Sequence, residues 1–207
     1  FVPTGDSRVI RDIKLTNLGS RPVEIDAIPV VEYSHPRALT QLTNADWVPQ
    51  TMQSKVYEVE GGRKVLSQFP FMTKDTRVNY LVSNRPASSF ESDRKLFLGD
   101  NEYGSWARPL SLDQPELSNT EARRGDNIGA LLHHLGHVDP GQTTRLITQL
   151  GQAESIEVAL PGIRRYWDEQ VVDEAFREIE QFWEAFLSRM QAQTPVAGLN
   201  SMLNVHN

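Results

Sequence analysis

No cysteine occurs among the 207 residues. Disulfides, thiolate metal sites and a cysteine nucleophile are therefore excluded within them. The absence fits a reducing compartment, and a cytoplasmic location is the expectation. No apolar run approaches the roughly 18 residues of a membrane-spanning helix, so no membrane partner is expected. Basic residues are in deficit, with 21 Lys and Arg against 27 Asp and Glu for a net charge of -6. Without a basic stripe to neutralise phosphates, nucleic acid is not an expected partner. No Asn-x-Ser/Thr acceptor, internal repeat or low-complexity tract occurs. The Gly61-Gly62 pair is not followed by Lys-Ser, which excludes a nucleotide phosphate loop there. What remains is ordinary globular composition, 39% hydrophobic and 23% charged, of a length for one large or two small domains.

Two textures meet near residue 154. Before it, short apolar runs alternate with turn signals, as in an all-β sandwich. Val9 to Thr16, Val23 to Tyr33, Val56 to Val59, Lys64 to Phe69, Val78 to Ser83, Ala130 to Val138 and Thr143 to Leu150 read as strands. Gly61-Gly62 signals a hairpin. In Asp139-Pro140-Gly141-Gln142 proline presets φ and glycine supplies a positive one. Two long connections, Ser34 to Ser54 and Asn84 to Asn127, interrupt the pattern, and loops of that length are usually functional or interfacial. After residue 154 the apolar period becomes helical. Val171, Val172, Ala175, Phe176, Ile179, Phe182, Trp183, Phe186, Leu187 and Met190 form one stripe, with Asp168 as cap, predicting an amphipathic helix of about five turns. Thr194-Pro195 starts a second helix, whose face carries Leu199, Met202, Leu203 and His206. The chain starts at Phe1 rather than Met, and nothing follows to cover that last face. It is expected to be a piece of a longer protein.

Few residues suggest chemistry. His133 and His137 have the spacing of a helical zinc motif, but in a strand they share a face roughly 13 Å apart, so no metal is expected. Loop carboxylates are many (Asp46, Asp93, Asp100, Glu102, Asp113, Asp126), and two could do glycosidic acid–base work. Turn capping is the commoner role of a loop aspartate. The segment Thr43 to Met52 is richer. It places the indole of Trp47 among Asn44, Asp46 and Gln50, an apolar plate with planar polar groups suited to a sugar ring. The alternative is a loop pinned to its own sandwich by Trp47. Tyr103 and Trp106 carry a weaker version of the same suggestion.

Several stretches, in order, resemble one family: Asp12-Ile13-Lys14-Leu15-Thr16-Asn17-Leu18-Gly19, Phe97-Leu98-Gly99-Asp100, Pro140-Gly141 with the strand Arg145 to Gly151, Phe182-Trp183 eleven residues before Thr194-Pro195, and Asn200-Ser201-Met202-Leu203-Asn204. Together they resemble the inverting phosphorylases of glycoside hydrolase family 94. Departures are Val196, where the family usually has aspartate, and His206, where many members have tryptophan. The resemblance implies a mainly β fold: a large β-sandwich over residues 1–153, a helical linker over 154–193, and the first helix of an (α/α)6 barrel over 194–207. It implies transfer of a glucosyl unit from a β-linked gluco-oligosaccharide to inorganic phosphate, giving α-glucose 1-phosphate, with the cellodextrin type favoured. Phosphate is then a co-substrate, and no cofactor or metal is needed. No catalytic residue is expected in this piece, because the general acid and phosphate site belong to the barrel. The resemblance also implies a homodimer, and makes Asn44, Asp46, Trp47 and Gln50 candidates for acceptor contacts. A cyclic β-1,2-glucan synthase, a β-1,2-oligoglucan phosphorylase or a stand-alone sugar-binding sandwich are the alternatives.

Overall fold

A computed structural model describes all residues except 36, 44–46, 72–75, 100–105 and 206–207. The strands are β1 (Arg8–Thr16), β2 (Val23–Ala27), β3 (Val30–Glu32), β4 (Met52–Val59), β5 (Arg63–Pro70), β6 (Val78–Ser83), β7 (Ser89–Asp93), β8 (Asn127–Val138) and β9 (Thr143–Ala153). The helices are α1 (Ala38–Thr43), α2 (Arg94–Leu98), α3 (Ile156–Arg165), α4 (Glu169–Leu187) and α5 (Ala197–Val205). One antiparallel sheet has the order β1-β9-β6-β5-β4. The second is built on β8, whose first half is flanked by β3 and β7 and whose second half pairs with β2. The result is a mainly β, two-sheet sandwich with helices at its C-terminal end.

Strand alternation builds four layers from this pair of sheets. Leu66 and Leu81 point toward the second sheet and meet Leu131 and Ala87. Their neighbours Val65, Tyr80 and Val82 point the other way, onto Ile156, Ala159 and Ile163 of α3. Further along that outer face, Ile10 and Ile147 receive Tyr166, Val172 and Ala175. On the far side of the molecule, Phe97 and Leu98 of α2 cover Ile128, Ala130 and Leu132. The centre of the first sheet is thus covered on both faces, which explains why every residue of β6 is buried. Helix α3 starts at Ser155, whose hydroxyl accepts from the Val158 N–H, and α4 at Asp168, whose carboxylate accepts from the Gln170 N–H at 2.8 Å. The β8–β9 turn is closed by the Gln142 N–H on the Asp139 carbonyl at 2.9 Å, with Gly141 at φ 77°, the positive φ that a type II turn needs after proline.

Four details depart from the pattern read in the sequence. The Val23 to Tyr33 run splits at Ile28-Pro29, because Pro29 has no N–H for the ladder, although its carbonyl accepts from Leu131. The connection from Asn84 to Asn127 is not structureless, since it holds β7 and α2. Strand β7 is hidden by its polarity. Its buried Glu91 carboxylate accepts from the Ser92 and Asp93 N–H groups and from the Ser118 hydroxyl, and burial raises its pKa against those bonds. His133 and His137 do not share a face. A bulge shifts the β2–β8 register between Ile25 and Asp26, leaving His133 buried and His137 exposed. Finally, α5 begins at Ala197 rather than Pro195. Asn200 hooks back on Thr194, accepting from its N–H at 2.7 Å and donating to its carbonyl at 3.0 Å.

Beyond Ala175, α4 leaves the sheet behind. Phe182, Trp183 and Phe186 are half-exposed and pack on each other with centroids 5.4–6.3 Å apart. Leu199 and Met202 of α5 are exposed as well, while Leu203 is half-buried; His206 lies outside the described residues. Among the described residues no helix is long and apolar enough to cross a membrane.

Candidate functional site

The two long connections meet side by side. The Gly125 N–H donates to the Pro49 carbonyl at 3.1 Å and the Ser54 N–H to the Ala122 carbonyl at 2.8 Å. The Ser54 hydroxyl donates to Asn127 Oδ1 at 2.8 Å, and the Val56 N–H to the Glu121 carboxylate at 2.7 Å. Between the joined loops and the ends of β3 and β5 lies a cleft of about 440 Å³. Val48, Pro49 and Met52 form its apolar wall, and Glu32, Arg94 and Asp126 its charged one.

Its polar groups are held in place from behind. Arg94 Nε donates to Glu32 at 2.7 Å, and the Arg94 N–H to the Asp126 carbonyl at 3.0 Å. The guanidinium also lies 6.0 Å from the centre of the Trp106 ring, which in turn rests on Phe97. Gln68, 2% exposed, receives the Asn79 amide on its Oε1 at 3.1 Å. Asn127, 6% exposed, donates to the Gly125 carbonyl at 2.9 Å while accepting from Ser54. His35 Nδ1 accepts from the Arg37 N–H at 3.0 Å. The Tyr33 hydroxyl donates to the Leu66 carbonyl at 2.9 Å, and its burial pushes the phenol pKa far up. It therefore serves the sandwich rather than a ligand.

Of the four candidates read from sequence, Asn44 and Asp46 lie outside the described residues, as do Asp100, Glu102 and the Tyr103-Gly104-Ser105 stretch. Trp47 and Gln50 are both exposed, Trp47 at 73%, and they sit on either side of the wall residues Val48 and Pro49. Val48, 4% exposed, and Met52, 1% exposed, are the buried side chains of this stretch. Asp93 caps α2 by accepting from Lys95 and Leu96 N–H groups, and Asp113 pairs with Arg108. Reasoning from sequence missed Glu32, Gln68, Arg94 and Asn127. They come from four separate elements, and the one available signal was a glutamine directly before the apolar pair Phe69-Pro70 in β5. Among the described residues the cleft offers fixed amides, the Glu32–Arg94 ion pair and an apolar wall, which suits a neutral, hydroxyl-rich ligand better than an anion or a hydrocarbon.

Comparison with known proteins points to one family. The model described as glycosyl hydrolase 94, supersandwich domain, matches residues 1–169. The chain is 28% identical over 206 residues to the N,N'-diacetylchitobiose phosphorylase of Vibrio furnissii, covering 99% of this chain and 24% of that protein. It is also 28% identical over 208 residues to the N,N'-diacetylchitobiose phosphorylase of Vibrio proteolyticus, with the same coverage. To the 3-O-beta-D-glucopyranosyl-beta-D-glucuronide phosphorylase of Paenibacillus borealis it is 21% identical over 207 residues, covering 99% of this chain and 26% of that protein. The chain thus spans about a quarter of the length of the curated relatives it matches.

Proposed function

The chain belongs to glycosyl hydrolase family 94 through its supersandwich domain, and from that premise we propose that it is the non-catalytic N-terminal part of an inverting phosphorylase of β-linked gluco-oligosaccharides. The observation that carries this reading is the match over residues 1–169, joined to three relatives whose names are all phosphorylases of β-linked or chitobiose-type sugars. In such a reaction an acid protonates the leaving glycosidic oxygen while phosphate attacks the anomeric carbon from the opposite face. Phosphate takes the place of the base-activated water of an inverting hydrolase. Those groups belong to the region following α5, and this chain supplies the frame. In this reading α5 is the first helix of an (α/α)6 barrel. The half-exposed rings of α4, with Leu199 and Met202, are the surface that barrel covers. Residues 1–153 are the sandwich and 154–193 the connection to the barrel. On this reading Asn44, Asp46, Trp47 and Gln50 are the acceptor contacts, and a cellodextrin-type substrate is favoured from the resemblance of the Thr43 to Met52 stretch to the longer-substrate enzymes. A homodimer in the cytoplasm is part of the same proposal.

The test extends the protein through its downstream region and supplies phosphate with cellobiose, cellotriose, N,N'-diacetylchitobiose and β-1,2-linked glucose oligomers. Release of an α-configured sugar 1-phosphate is the expected result. Absence of sugar 1-phosphate with every member of the panel refutes the proposal.

A further inference from the structure

Resting on that reading, we propose that the cleft beside Trp47 is itself a pyranose subsite, which takes a sugar unit of a β-linked oligosaccharide through Glu32, Arg94, Gln68 and Asn127. At about 440 Å³ it has the volume of a small-ligand site. Its lining is unlike an accidental surface gap. Gln68 and Asn127 are almost fully buried polar side chains, and burial of an amide is costly unless its hydrogen bonds are made. Each is fixed by the protein on one side, Gln68 by Asn79 and Asn127 by Ser54 and Gly125. An amide keeps capacity beyond those bonds, because its oxygen has two lone pairs and its nitrogen two hydrogens.

The Glu32–Arg94 pair adds a planar acceptor and a planar donor already locked at 2.7 Å, suited to neighbouring hydroxyls that both donate and accept. Such pre-organisation reduces the ordering cost of binding. Apolar surface for the ring's C–H face comes from the wall of Val48, Pro49 and Met52. Charge narrows the ligand class. Among the described lining residues Glu32 and Asp126 stand with a single guanidinium, a balance that disfavours phosphate or another anion. A hydrocarbon would leave the amides and the ion pair without water. A neutral sugar meets neither penalty.

The experiment is an amide NMR titration of the 207-residue chain with cellotriose and N,N'-diacetylchitobiose, and with inorganic phosphate as control. Saturable shifts at Gln68, Asn127 and Arg94 are expected with a sugar and not with phosphate. Arg94→Met and the shape-preserving Glu32→Gln should each weaken binding by about tenfold, the loss of a charge-assisted hydrogen bond. Saturable shifts that both variants leave unchanged overturn the inference, as do cleft shifts driven by phosphate. An absence of shifts overturns it too. If the extended protein still releases sugar 1-phosphate, the family-level function survives that failure; if it does not, both fall.

Discussion

Trp47 and Val48 are adjacent, yet one is exposed and the other buried, and truncating each to alanine tests whether the proposed acceptor contact is separable from the core. A buried tryptophan removes up to about 250 Å² from water. Trp47 is 73% exposed, so about a quarter of that, roughly 60 Å², is covered. At ~25 cal/mol per Å² this is ~1.5 kcal/mol as an upper bound. Freeing the side chain in the folded state, and the compactness of real unfolded chains, reduce the net effect to about 0.5–1 kcal/mol. Val48 is 4% exposed. Its truncation removes two buried methyl groups worth ~0.8 kcal/mol each and leaves a cavity, for a cost of about 2–3 kcal/mol. Urea denaturation of the two variants should therefore rank Val48→Ala as clearly the more destabilised. Its thermal midpoint should fall by about 4–10 °C, against about 3 °C or less for Trp47→Ala. In the extended enzyme Trp47→Ala should raise the acceptor KM and leave the phosphate KM unchanged. If Trp47→Ala destabilises as much as Val48→Ala and weakens both substrates equally, then the indole pins the loop and the reasoning is wrong.

Gly151 lies opposite Tyr80 in the β6–β9 register, and a Cβ there would collide with the Tyr80 hydroxyl and ring; Gly151→Ala should cost ~1–3 kcal/mol by overpacking, and Tyr80→Phe in that background should recover part of it in urea unfolding. Burial lowers the pKa of His133 against its bond to the Pro86 carbonyl, so below about pH 6.5 the unfolded chain binds a proton that the folded one refuses and stability falls; His133→Gln should flatten that acid limb between pH 7.5 and 5. The adjacent His134 has the opposite sign, because Asp26 and Glu116 raise its pKa at the surface: its contribution is complete below about pH 6.5 and is lost as pH rises through the folded value, so His134→Asn should reduce stability more at pH 5 than at pH 8. Trp183→Ala should barely change the unfolding of this chain, where the ring is half-exposed, but should destabilise the extended protein by ~2 kcal/mol or more if the barrel covers it.

Sequence reading succeeded where one local rule decides the outcome. The Asp139-Pro140-Gly141-Gln142 turn, the Asp168 cap and the stripe of α4 each rest on residues a few positions apart, and each stands in the structure. It failed where distant groups decide. Strand β7 survives with a buried glutamate because Ser92, Asp93 and Ser118 satisfy it, and the last of these lies 27 residues away. The His133–His137 face was misread because strand parity holds only until a bulge, and the bulge is set by pairing with β2. The cleft itself was not legible. Loop length and composition marked Trp47, next in sequence to the wall residue Val48, whereas Glu32, Gln68, Arg94 and Asn127 are drawn together only by the tertiary fold.

Helix α4 shows how apolar and ionic contacts divide the labour. Arg145 on β9 donates to Asp12 at 2.7 Å and to Asp173 of α4 at 2.7 Å, with Glu169 at 3.4 Å. Asp12 and Asp173 hold its pKa above the ordinary arginine value. Two of its carboxylate partners are about half-exposed, so solvent screens those pairs and each contributes at most ~1 kcal/mol. Burying Val172 and Ala175 against Ile10 and Ile147 contributes more, about 2–3 kcal/mol for the valine and the alanine methyl together. Apolar burial therefore decides that α4 docks. It does not decide where, since a smooth aliphatic face tolerates sliding. The guanidinium does, because its planar fork meets Asp12 and Asp173 in one relative position of strand and helix. Hydrogen exchange reads the distinction: Arg145→Met should leave global stability nearly intact while amides at 169–175 exchange faster, whereas Val172→Ala should lower stability throughout the chain.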